Sequence, residues 1–201
     1  MLPGAILAAG RSTRMGQSKA LLAYPGSGET LVARLVRSLG EGGANPVLVV
    51  GRSDDDELRA AVGAIAPSAR FIVNPDADAG GQLSSLLVAI DAADLLGAPA
   101  ILMTPVDVAR VSAATVSALL RASRDAPGRI IRAVHSGRHG HPVIFPRAVF
   151  DELRRADRAE GAKAVVRAHA AEVIDVNVAD AGVLDDIDTP EDYRRAFRDP
   201  Q

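Results

Sequence analysis

One segment of the chain, residues 7–19 (LAAGRSTRMGQSK), concentrates the groups that could bind a phosphate chain. Its glycines and small side chains would let the backbone approach an anion closely, and successive N–H groups in such a loop can form an anion nest. Arg11, Arg14 and Lys19 place three cations within nine residues, and cations strengthen hydrogen bonds to phosphate. In a chain of net charge −2 this local excess predicts an anion-binding loop, whereas the alternative is a flexible polar loop.

The spacing of this loop excludes two common nucleotide-binding motifs. Five residues separate Gly10 from Gly16, and Lys19 lies three residues past the second glycine. The Walker A pattern is GxxxxGK[ST] and the dinucleotide fingerprint is GxGxxG, so neither fits. The loop is therefore expected to bind phosphate in another way.

Short apolar runs alternate with longer helical patterns, and these elements must position the loop. Continuous runs such as AILA, VLVV and AILM are typical of strands that are buried on both faces of a sheet. Strands are predicted at residues 5–9, 46–50, 70–73, 100–103, 130–135, 142–145 and 172–176, and helices at residues 30–39, 54–65, 82–96, 113–123, 147–155, 160–170 and 190–198. The alternation predicts an α/β fold, a Rossmann-like three-layer α/β/α arrangement around a mostly parallel sheet, with ligands at the carboxyl ends of the strands.

Two predicted helix starts carry capping residues. Ser53 precedes the acidic run at residues 54–57, and negative charge is favourable at a helix N-terminus. Thr189 precedes Pro190, with Asp192 at the third helical position, as in a capping box. The acidic run at 54–57 is therefore interpreted as the start of a helix rather than as a metal site.

Composition limits the classes of function. The 201 residues, of 20.8 kDa, suit a single domain over residues 1–201. The near-zero net charge and the 3% aromatic content argue against nucleic-acid binding, which uses basic surfaces and stacking rings. No cysteine is present, so disulfides, iron–sulfur clusters and thiol nucleophiles are excluded. No apolar run approaches the ~20 residues that span a bilayer, and the start lacks a basic signal-peptide region, so we expect a cytoplasmic protein with no membrane partner.

Several segments together carry a family resemblance. The pattern LAAGxSxRMGxxK followed by two leucines resembles the signature of the MobA-like NTP transferase family. Segments that agree with this family in order and spacing are NPD at 74–76 with GGQLSSL at 80–86, Asp107 after the fourth apolar run, GHPVIF at 140–145, EGAK at 160–163 and DIDTPEDY at 186–193. The chain is most similar to the molybdenum cofactor (molybdopterin) cytidylyltransferase branch. The resemblance covers nearly the whole chain and implies the nucleotide-diphospho-sugar transferase type of fold.

The resemblance implies a Mg²⁺-dependent nucleotidyltransferase that moves NMP from an NTP onto a phosphorylated acceptor and releases pyrophosphate. Ala9 points to CTP, because LAAG is the form associated with cytidylyltransferases and LAGG that of guanylyltransferases. Molybdopterin is the implied acceptor, and a molybdoenzyme is a further candidate partner. The alternatives are a sugar phosphate or another small phosphorylated metabolite as acceptor, and a non-catalytic nucleotide- or cofactor-binding protein.

Two departures from the branch concern the acceptor more than the nucleotide. Residues 107–109 read DVA where the branch has Asp-Gln-Pro, and residues 158–163 read RAEGAK where it has Gly-Asp-x-Gly-Ala-Arg. Both departures lie outside the glycine-rich segment 7–19. The resemblance therefore predicts the nucleotide more firmly than the acceptor.

The matched motifs imply a role for each residue. Catalysis is assigned to Lys19, Arg14 and Asp107, and metal binding to Asp107 and Asp188, with Asp186 as the substitute ligand. The residues assigned to nucleotide binding are Leu7, Ala8, Ala9, Gly10, Arg11, Ser12, Gly16, Lys19, Asn74, Ser84 and Ser85, and the residue assigned to acceptor binding is His141.

The chemistry itself asks little of protein bases. A phosphate monoester is largely dianionic near neutral pH because its second pKa is ~6, so the acceptor needs no deprotonation. The reaction needs positioning and charge neutralisation, for which Mg²⁺ held by carboxylates is suited. Each assignment has a structural alternative: a solvated strand end for Asp107, a cap of the last helix for Asp188, and a surface position for Lys19 or Arg11.

Three histidines, at positions 135, 139 and 141, suggest a zinc site at first sight. Residues two apart on a strand share a face, but no HExxH pattern is present. We therefore favour the interpretation without zinc.

Overall fold

Strands and helices alternate along the part of the chain that the computed structural model describes, residues 1–65 and 67–197. The strands are β1 (Gly4–Leu7), β2 (Ala23–Tyr24), β3 (Glu29–Thr30), β4 (Val47–Arg52), β5 (Ala69–Asn74), β6 (Ala100–Pro105), β7 (Ile131–His135), β8 (Arg138–Pro146) and β9 (Ile174–Asn177). The helices are α1 (Leu31–Glu41), α2 (Asp56–Ala64), α3 (Gly81–Leu95), α4 (Ala113–Asp125), α5 (Phe150–Arg155), α6 (Ala162–Ala168) and α7 (Pro190–Ala196). Each predicted strand and helix corresponds to one of these elements. None of the described helices is both long and apolar enough to cross a membrane.

Seven of the described strands form one sheet in the order β5-β4-β1-β6-β8-β7-β9. The strands β5, β4, β1 and β6 are parallel neighbours, β8 is antiparallel to both β6 and β7, and β9 is parallel to β7. The chain passes from β1 to β4 on one side and later returns through α3 to β6 on the other, so the winding reverses at β1. In open α/β sheets, ligands bind outside the carboxyl ends of the strands at such a point. The predicted mostly parallel sheet is confirmed.

Alternate residues of the central strands face two separate cores. Ile6 of β1 packs with helices α1, α2 and α4, through side chains such as Leu35 and Leu119. Leu7 packs on the opposite face with α3, α5 and α6, through side chains such as Ile90. Because successive strand residues point to opposite faces, continuous apolar strands need helices on both sides. The predicted three-layer α/β/α arrangement is confirmed.

Several element boundaries differ from the prediction. β1 ends at Leu7 rather than at residue 9, because the chain leaves the sheet there to begin the glycine-rich loop. Residues 147–155, predicted as one helix, divide into a 3₁₀ turn at Arg147–Val149 and α5. The hairpin of β2 and β3 was not predicted, since each strand is only two residues long. Residue 198, predicted to end the last helix, lies outside the described residues.

The helix caps correct one prediction and confirm another. The N-cap of α2 is Asp55, whose side chain accepts a hydrogen bond from the backbone N–H of Leu58. Ser53 is therefore not the cap, because the helix begins two residues later than predicted. Thr189 is the N-cap of α7 and forms a capping box with Asp192, as predicted.

Candidate functional site

The glycine-rich loop, residues 8–18, connects β1 to a short 3₁₀ turn at Lys19–Leu21. The backbone N–H of Ala8 donates to the carbonyl of Val50 at 2.8 Å and anchors the start of the loop. Ser12 has a left-handed backbone with φ 50°, which is uncommon for a residue other than glycine. Its hydroxyl accepts a hydrogen bond from the backbone N–H of Lys19 at 3.1 Å. This bond closes the loop on Lys19 while most of the other loop residues face solvent.

A cleft of about 560 Å³ lies between the glycine-rich loop and the start of α2. Its lining comprises Gly10, Arg11, Ser12, Thr13, Gly16, Gln17 and Ser18 of the loop, with Arg52, Asp54, Asp55, Asp56 and Glu57 from the connection between β4 and α2. Leu7, Ala8 and Ala9, which were also predicted to contact the nucleotide, are buried. Residues of the glycine-rich loop thus form one side of the cleft and acidic residues form the other. Anion binding by the loop stays a prediction.

Three carboxylates converge beside this loop. Asp107 follows β6, and Asp186 and Asp188 precede α7; one oxygen from each lies within 4.8 Å of the others. The buried Ile187 donates its backbone N–H to the carbonyl of Asp107 at 3.2 Å. Because alternate residues of an extended segment point the same way, anchoring Ile187 turns Asp186 and Asp188 together toward Asp107. Both residues that were considered for the second metal position therefore belong to one acidic trio, Asp107, Asp186 and Asp188.

Two cations of the glycine-rich segment reach the acidic trio. Lys19 Nζ donates to Asp188 Oδ1 and lies 3.6 Å from Asp107 Oδ2. Arg14 Nη2 lies 2.6 Å from Asp188 Oδ2. The Lys19 side chain is only 11% exposed, so the alternative of a surface lysine fails. The cap of α7 is Thr189, so the alternative of a purely capping role for Asp188 also fails.

Burial and pairing shift the pKa values of two acids of the trio in opposite directions. Burial raises the pKa of the Asp107 carboxyl, although the charge of Lys19 opposes this. The hydrogen bond from Lys19 lowers the pKa of the Asp188 carboxyl. Carboxylate oxygens with no nitrogen or sulfur among them are the donors that Mg²⁺ and similar hard cations prefer. The donor set of the trio therefore fits a divalent cation of this class.

A second charge cluster joins the glycine-rich loop to the neighbouring strands. Asp78 accepts paired hydrogen bonds from Arg11, both at 2.7 Å, and from Arg52 at 2.7 and 2.9 Å. The hydrogen bond from Arg11 and, to a smaller extent, that from Arg52 hold the pKa of the Asp78 carboxyl well below its usual range. Arg11 is thus tied to the loop after β5. The sequence analysis missed Arg52 and Asp78, whose only signal was their place at the carboxyl ends of β4 and β5.

The polar side chains after β5 bond to one another. Asn74 is buried, and its amide donates to the hydroxyls of Ser84 at 2.8 Å and Ser85 at 3.0 Å. Its carbonyl oxygen accepts from the backbone N–H of Asp76 at 2.9 Å. These bonds use the amide donors of Asn74 and fix the loop that carries Asp78. A direct nucleotide contact by Asn74, Ser84 or Ser85 stays a prediction.

A larger cavity, of about 660 Å³, lies between β8 and α6. We call it the basic cavity; its lining includes Gln82, Leu83, Leu86, Met103, Arg132, His139, Gly140, His141, Val143, Phe145, Arg158, Glu160, Lys163, Val166 and Arg167. Because β8 is antiparallel to β6, with Val143 paired to Met103, its first residues extend past the carboxyl end of β6. The basic cavity and Asp107 therefore lie at the same edge of the sheet.

His141 and two cations leave polar groups in the basic cavity without a protein partner. The Nδ1 atom of His141 is buried and has no hydrogen-bond partner among the described residues. Burial, with a smaller contribution from the charge of Lys163, lowers the pKa of His141 to about 4. Within residues 1–65 and 67–197, neither Arg158 nor Lys163 forms an ion pair, whereas Arg132 pairs with Asp175 at 2.8 Å. The cavity thus presents to a ligand the cations of Arg158 and Lys163, which are unpaired among the described residues.

The other histidines do not form a metal centre. His135 Nδ1 lies 2.9 Å from the carbonyl oxygen of Val178, and His139 Nε2 lies 3.4 Å from Asp175. Across the described part of the chain, the acidic trio is the one group of three or more ligand-type side chains close enough to hold a metal ion. The interpretation without zinc is consistent with this geometry.

Comparison with known proteins gives a concordant result. Residues 4–173 match the model of the MobA-like NTP transferase domain. A probable molybdenum cofactor guanylyltransferase from Opitutus terrae is 37% identical over 160 residues, which is 79% of this chain and 74% of that protein. The purine catabolism protein PucB from Bacillus subtilis is 31% identical over 206 residues, which is 98% of this chain and 97% of that protein.

Solved structures agree on the fold. The crystal structure of Rv0371c from Mycobacterium tuberculosis superposes with a TM-score of 0.82 at 26% identity, covering 100% of both chains. A second structure of that protein, a complex with manganese, gives a TM-score of 0.73 at 26% identity and covers 96% of each chain. The family model covers most of the chain, and the structural match covers all of it.

Proposed function

This chain belongs to the MobA-like NTP transferase family and is a nucleotidyltransferase, and from this premise we propose that it moves CMP from CTP onto the phosphate of a molybdopterin-type acceptor with the help of Mg²⁺. The observation that carries the proposal is the meeting of Lys19, Arg14 and the acidic trio at the carboxyl edge of the sheet. Family members use an NTP and a divalent metal, and for this chain we propose CTP and Mg²⁺.

The reaction is an in-line displacement at the α-phosphorus of the nucleotide. An acceptor phosphate oxygen forms the new P–O bond, and the bond to the β-phosphate breaks, with its electron pair leaving on pyrophosphate. The acceptor phosphate is already largely ionised near neutral pH, because its second pKa is ~6. No side chain has to remove a proton, so the protein contributes position and charge.

The glycine-rich loop would hold the polyphosphate. Its exposed backbone, with Gly10, Ser12 and Gly16, lines the 560 Å³ cleft, and its cations reach the edge of the acidic trio. Lys19 would stabilise negative charge that develops on the α-phosphate, and Arg14 would neutralise the outer phosphates. Both now bond to Asp188, so an arriving polyphosphate competes with a carboxylate for the same cations.

The acidic trio would hold the metal. Asp107 and Asp188 are the proposed Mg²⁺ ligands, with Asp186 close enough to take part. When bound there, the ion supplies positive charge to the phosphate oxygens. The three carboxylates carry three negative charges against two from Lys19 and Arg14, so the site retains an attraction for a cation.

The basic cavity supports a phosphorylated acceptor with an apolar body. Its floor includes Leu86, Met103 and Phe145, and its unpaired cations are Arg158 and Lys163 among the described residues. His141, proposed as the acceptor-binding residue, is part of the lining of this cavity.

GTP is the second candidate nucleotide. Ala9 in the LAAG form supports CTP. Relatives such as the 37% identical protein from Opitutus terrae bear the name molybdenum cofactor guanylyltransferase, which supports GTP. The molybdoenzyme partner, the single-domain organisation over residues 1–201 and the cytoplasmic location stay predictions.

Pyrophosphate release across the four NTPs and a panel of acceptors tests the proposal. The acceptors are molybdopterin in its metal-bound and metal-free forms, hexose 1-phosphates and a phosphorylated polyol. We expect release with CTP and molybdopterin, at a rate that depends on Mg²⁺. Release with GTP alone would mean that the nucleotide is GTP and not CTP. Release with a sugar phosphate alone would mean that the acceptor is a sugar phosphate and not molybdopterin. NTP binding without any release would contradict an enzymatic role.

A further inference from the structure

The segment that carries two acids of the trio, residues 180–188, is held between two parts of the sheet's carboxyl edge. It begins with a 3₁₀ turn at Ala181–Leu184 and then extends to Asp188. Val183 and Ile187 are buried, so the segment is anchored at two points. We call residues 180–188 the acidic segment.

Two glycines lie where the acidic segment contacts its neighbours most closely. A Cβ added to Gly140 of β8 would lie 2.2 Å from the carbonyl oxygen of Val183 and 2.8 Å from its carbonyl carbon. A Cβ added to Gly182 would lie 2.6 Å from the carbonyl oxygen of Arg110 and 2.8 Å from its carbonyl carbon. Neither glycine has a positive φ in the left-handed range. Backbone conformation therefore does not require glycine at these two positions, whereas the close approach of the backbones does.

Polar contacts secure the same segment along its length. The Asp180 carboxylate accepts from the backbone N–H of Ser112 at 2.8 Å, from the hydroxyl of Thr115 at 2.7 Å and from the backbone N–H of Gly182 at 3.0 Å. These bonds outweigh the effect of burial and lower the pKa of the Asp180 carboxyl. Asp180 thereby ties the start of the acidic segment to the N-terminus of α4.

We propose that Gly140 and Gly182 are positioning residues, which let the acidic segment lie close enough to β8 and to the loop after β6 for Asp186 and Asp188 to meet Asp107. The proposal rests on the proposed metal role of the acidic trio. The contacts form an unbroken chain: Gly140 touches Val183, Gly182 touches Arg110, and Ile187 bonds to the backbone of Asp107. No other glycine with an ordinary φ among the described residues combines this crowding with contact to the acidic segment.

The expected displacement is large on the scale that ligand geometry tolerates. Real Cβ contacts are essentially never shorter than 3.0 Å, so a Cβ at 2.2 Å from Val183 must move the backbone by close to an ångström. Functional groups must hold their geometry within ≈ 0.5 Å to work as a set. A shift of this size at Val183 would therefore displace Asp186 and Asp188, which follow it in the chain.

Gly140 also connects the acidic segment to the basic cavity. Its chain neighbours His139 and His141 line that cavity, while Gly140 itself contacts Val183. A ligand that moves β8 in the cavity would therefore move the acidic segment through the same contact. The contact between Gly140 and Val183 would therefore couple the binding of a ligand in the cavity to the distances between the metal ligands.

The test is Mn²⁺ binding to the full chain, measured by electron paramagnetic resonance without nucleotide. We expect Gly140→Ala and Gly182→Ala to weaken Mn²⁺ binding at least about 10-fold, as changes to groups that support metal ligands do. Pyrophosphate release should need correspondingly more metal and recover to within a few-fold at saturating Mn²⁺. Recovery at high metal separates a positioning role from general damage.

Gly42→Ala is the matched control. A Cβ there would lie 2.4 Å from the Cβ of Val116 and 2.9 Å from the carbonyl oxygen of Ala113, so it is crowded as well, but it lies between α1 and α4. Gly42→Ala should lower the melting temperature and leave Mn²⁺ affinity within about 2-fold. Gly40→Ala, where a Cβ meets nothing within 4 Å, serves as the uncrowded control.

The outcomes separate the two proposals. Wild-type Mn²⁺ affinity in Gly140→Ala and Gly182→Ala, or an equal loss in Gly42→Ala, would overturn the positioning role alone. A wild-type protein that binds no Mn²⁺ with or without CTP would overturn the metal role of the trio and the positioning role with it. If the glycine variants do not fold, Asp180→Asn loosens the same segment without crowding it. Unchanged Mn²⁺ affinity there would contradict the premise that the position of the acidic segment sets Mn²⁺ binding, and would overturn the positioning role with it.

Discussion

The acidic trio and the basic cavity lie at one edge of the sheet, but their charged groups differ in how far they are paired within the protein. In the trio, Lys19 and Arg14 already bond to Asp188, and the acids are anchored through Ile187. In the cavity, His141 Nδ1 has no partner among the described residues, and Lys163 forms no ion pair with them. Internal pairing holds reacting geometry in place before a ligand arrives, whereas unpaired groups leave binding energy available for the ligand. The first arrangement suits chemistry and the second suits recognition.

Lys19→Ala should have the largest effect on the reaction. Removing a donor that stabilises charge in a transition state costs about 10²–10³-fold in rate. We expect kcat to fall by that factor and NTP affinity to fall much less, because the role of Lys19 lies in the transition state. Pyrophosphate release gives kcat, and calorimetric titration with CTP gives affinity. A rate within a few-fold of wild type would contradict the role of Lys19.

Asp107→Asn should have the next largest effect. The carboxylate is proposed as a metal ligand, and its loss should raise the Mg²⁺ concentration needed for half-maximal rate by about 10–100-fold, by analogy with weakened metal sites. Residual rate should return at high Mg²⁺. An unchanged Mg²⁺ titration would place the metal elsewhere. Asp125→Asn, at the last residue of α4, serves as an acidic control outside the trio.

The neutral state of His141 predicts a pH dependence of stability that a variant of His141 separates from that of the acidic trio. Burial lowers its folded-state pKa from 6.5 to about 4, so the unfolded chain binds the proton first as pH falls. Above pH 6.5 the titration of His141 does not reduce the free energy of unfolding. The free energy of unfolding falls as the pH falls from 6.5 toward 4. Allowing for solvent screening, we expect a loss of about 1–2 kcal/mol.

The measurement is the difference between wild type and His141→Gln in urea unfolding at pH 7.5 and pH 4.5. Taking the difference removes the titration of carboxylates that both proteins share. The stability advantage of wild type should shrink at the lower pH. Parallel loss in the two proteins would mean that His141 is not held neutral by its burial.

The smallest effects belong to the unpaired cations of the basic cavity. Lys163→Ala and Arg158→Ala should each raise the acceptor KM by about 5–10-fold, since a hydrogen bond contributes about 1 kcal/mol and one to a charged group about 1.5 kcal/mol or more. The kcat at saturating acceptor should stay within 2-fold. Arg155→Ala changes an arginine on α5 outside the cavity lining and should leave KM unchanged. A loss of kcat in Lys163→Ala would mean that the basic cavity also takes part in the chemistry, which contradicts the division of roles between the cavity and the acidic trio.

Much of the fold follows from local patterns. Continuous apolar runs such as VLVV predicted strands covered on both faces, and the Thr189 capping box predicted the start of α7. The errors concern the exact start of a helix and elements too short to leave a pattern. Asp55 rather than Ser53 caps α2, and the two-residue strands of the β2–β3 hairpin are too short to leave a period in the sequence.

The candidate site was predicted in part. The motif of residues 7–19 pointed to Lys19 and Arg14, and the resemblance pointed to Asp107 and Asp188. Arg52, Asp78 and the unpaired state of Lys163 were not foreseen. Their roles depend on which side chains meet across the edge of the sheet, and Arg52 and Asp78 are 26 residues apart in the chain.

By itself, the sequence determined the local pieces: a glycine-rich loop after a strand, a sheet covered on both faces, and helices that begin at their caps. These depend on periodicity and turn chemistry, which act over a few residues. Only the tertiary structure decided that Asp186 joins Asp107 and Asp188, and that Gly140 touches Val183. Such contacts join residues far apart in the chain, and their distances result from the packing of the whole sheet edge.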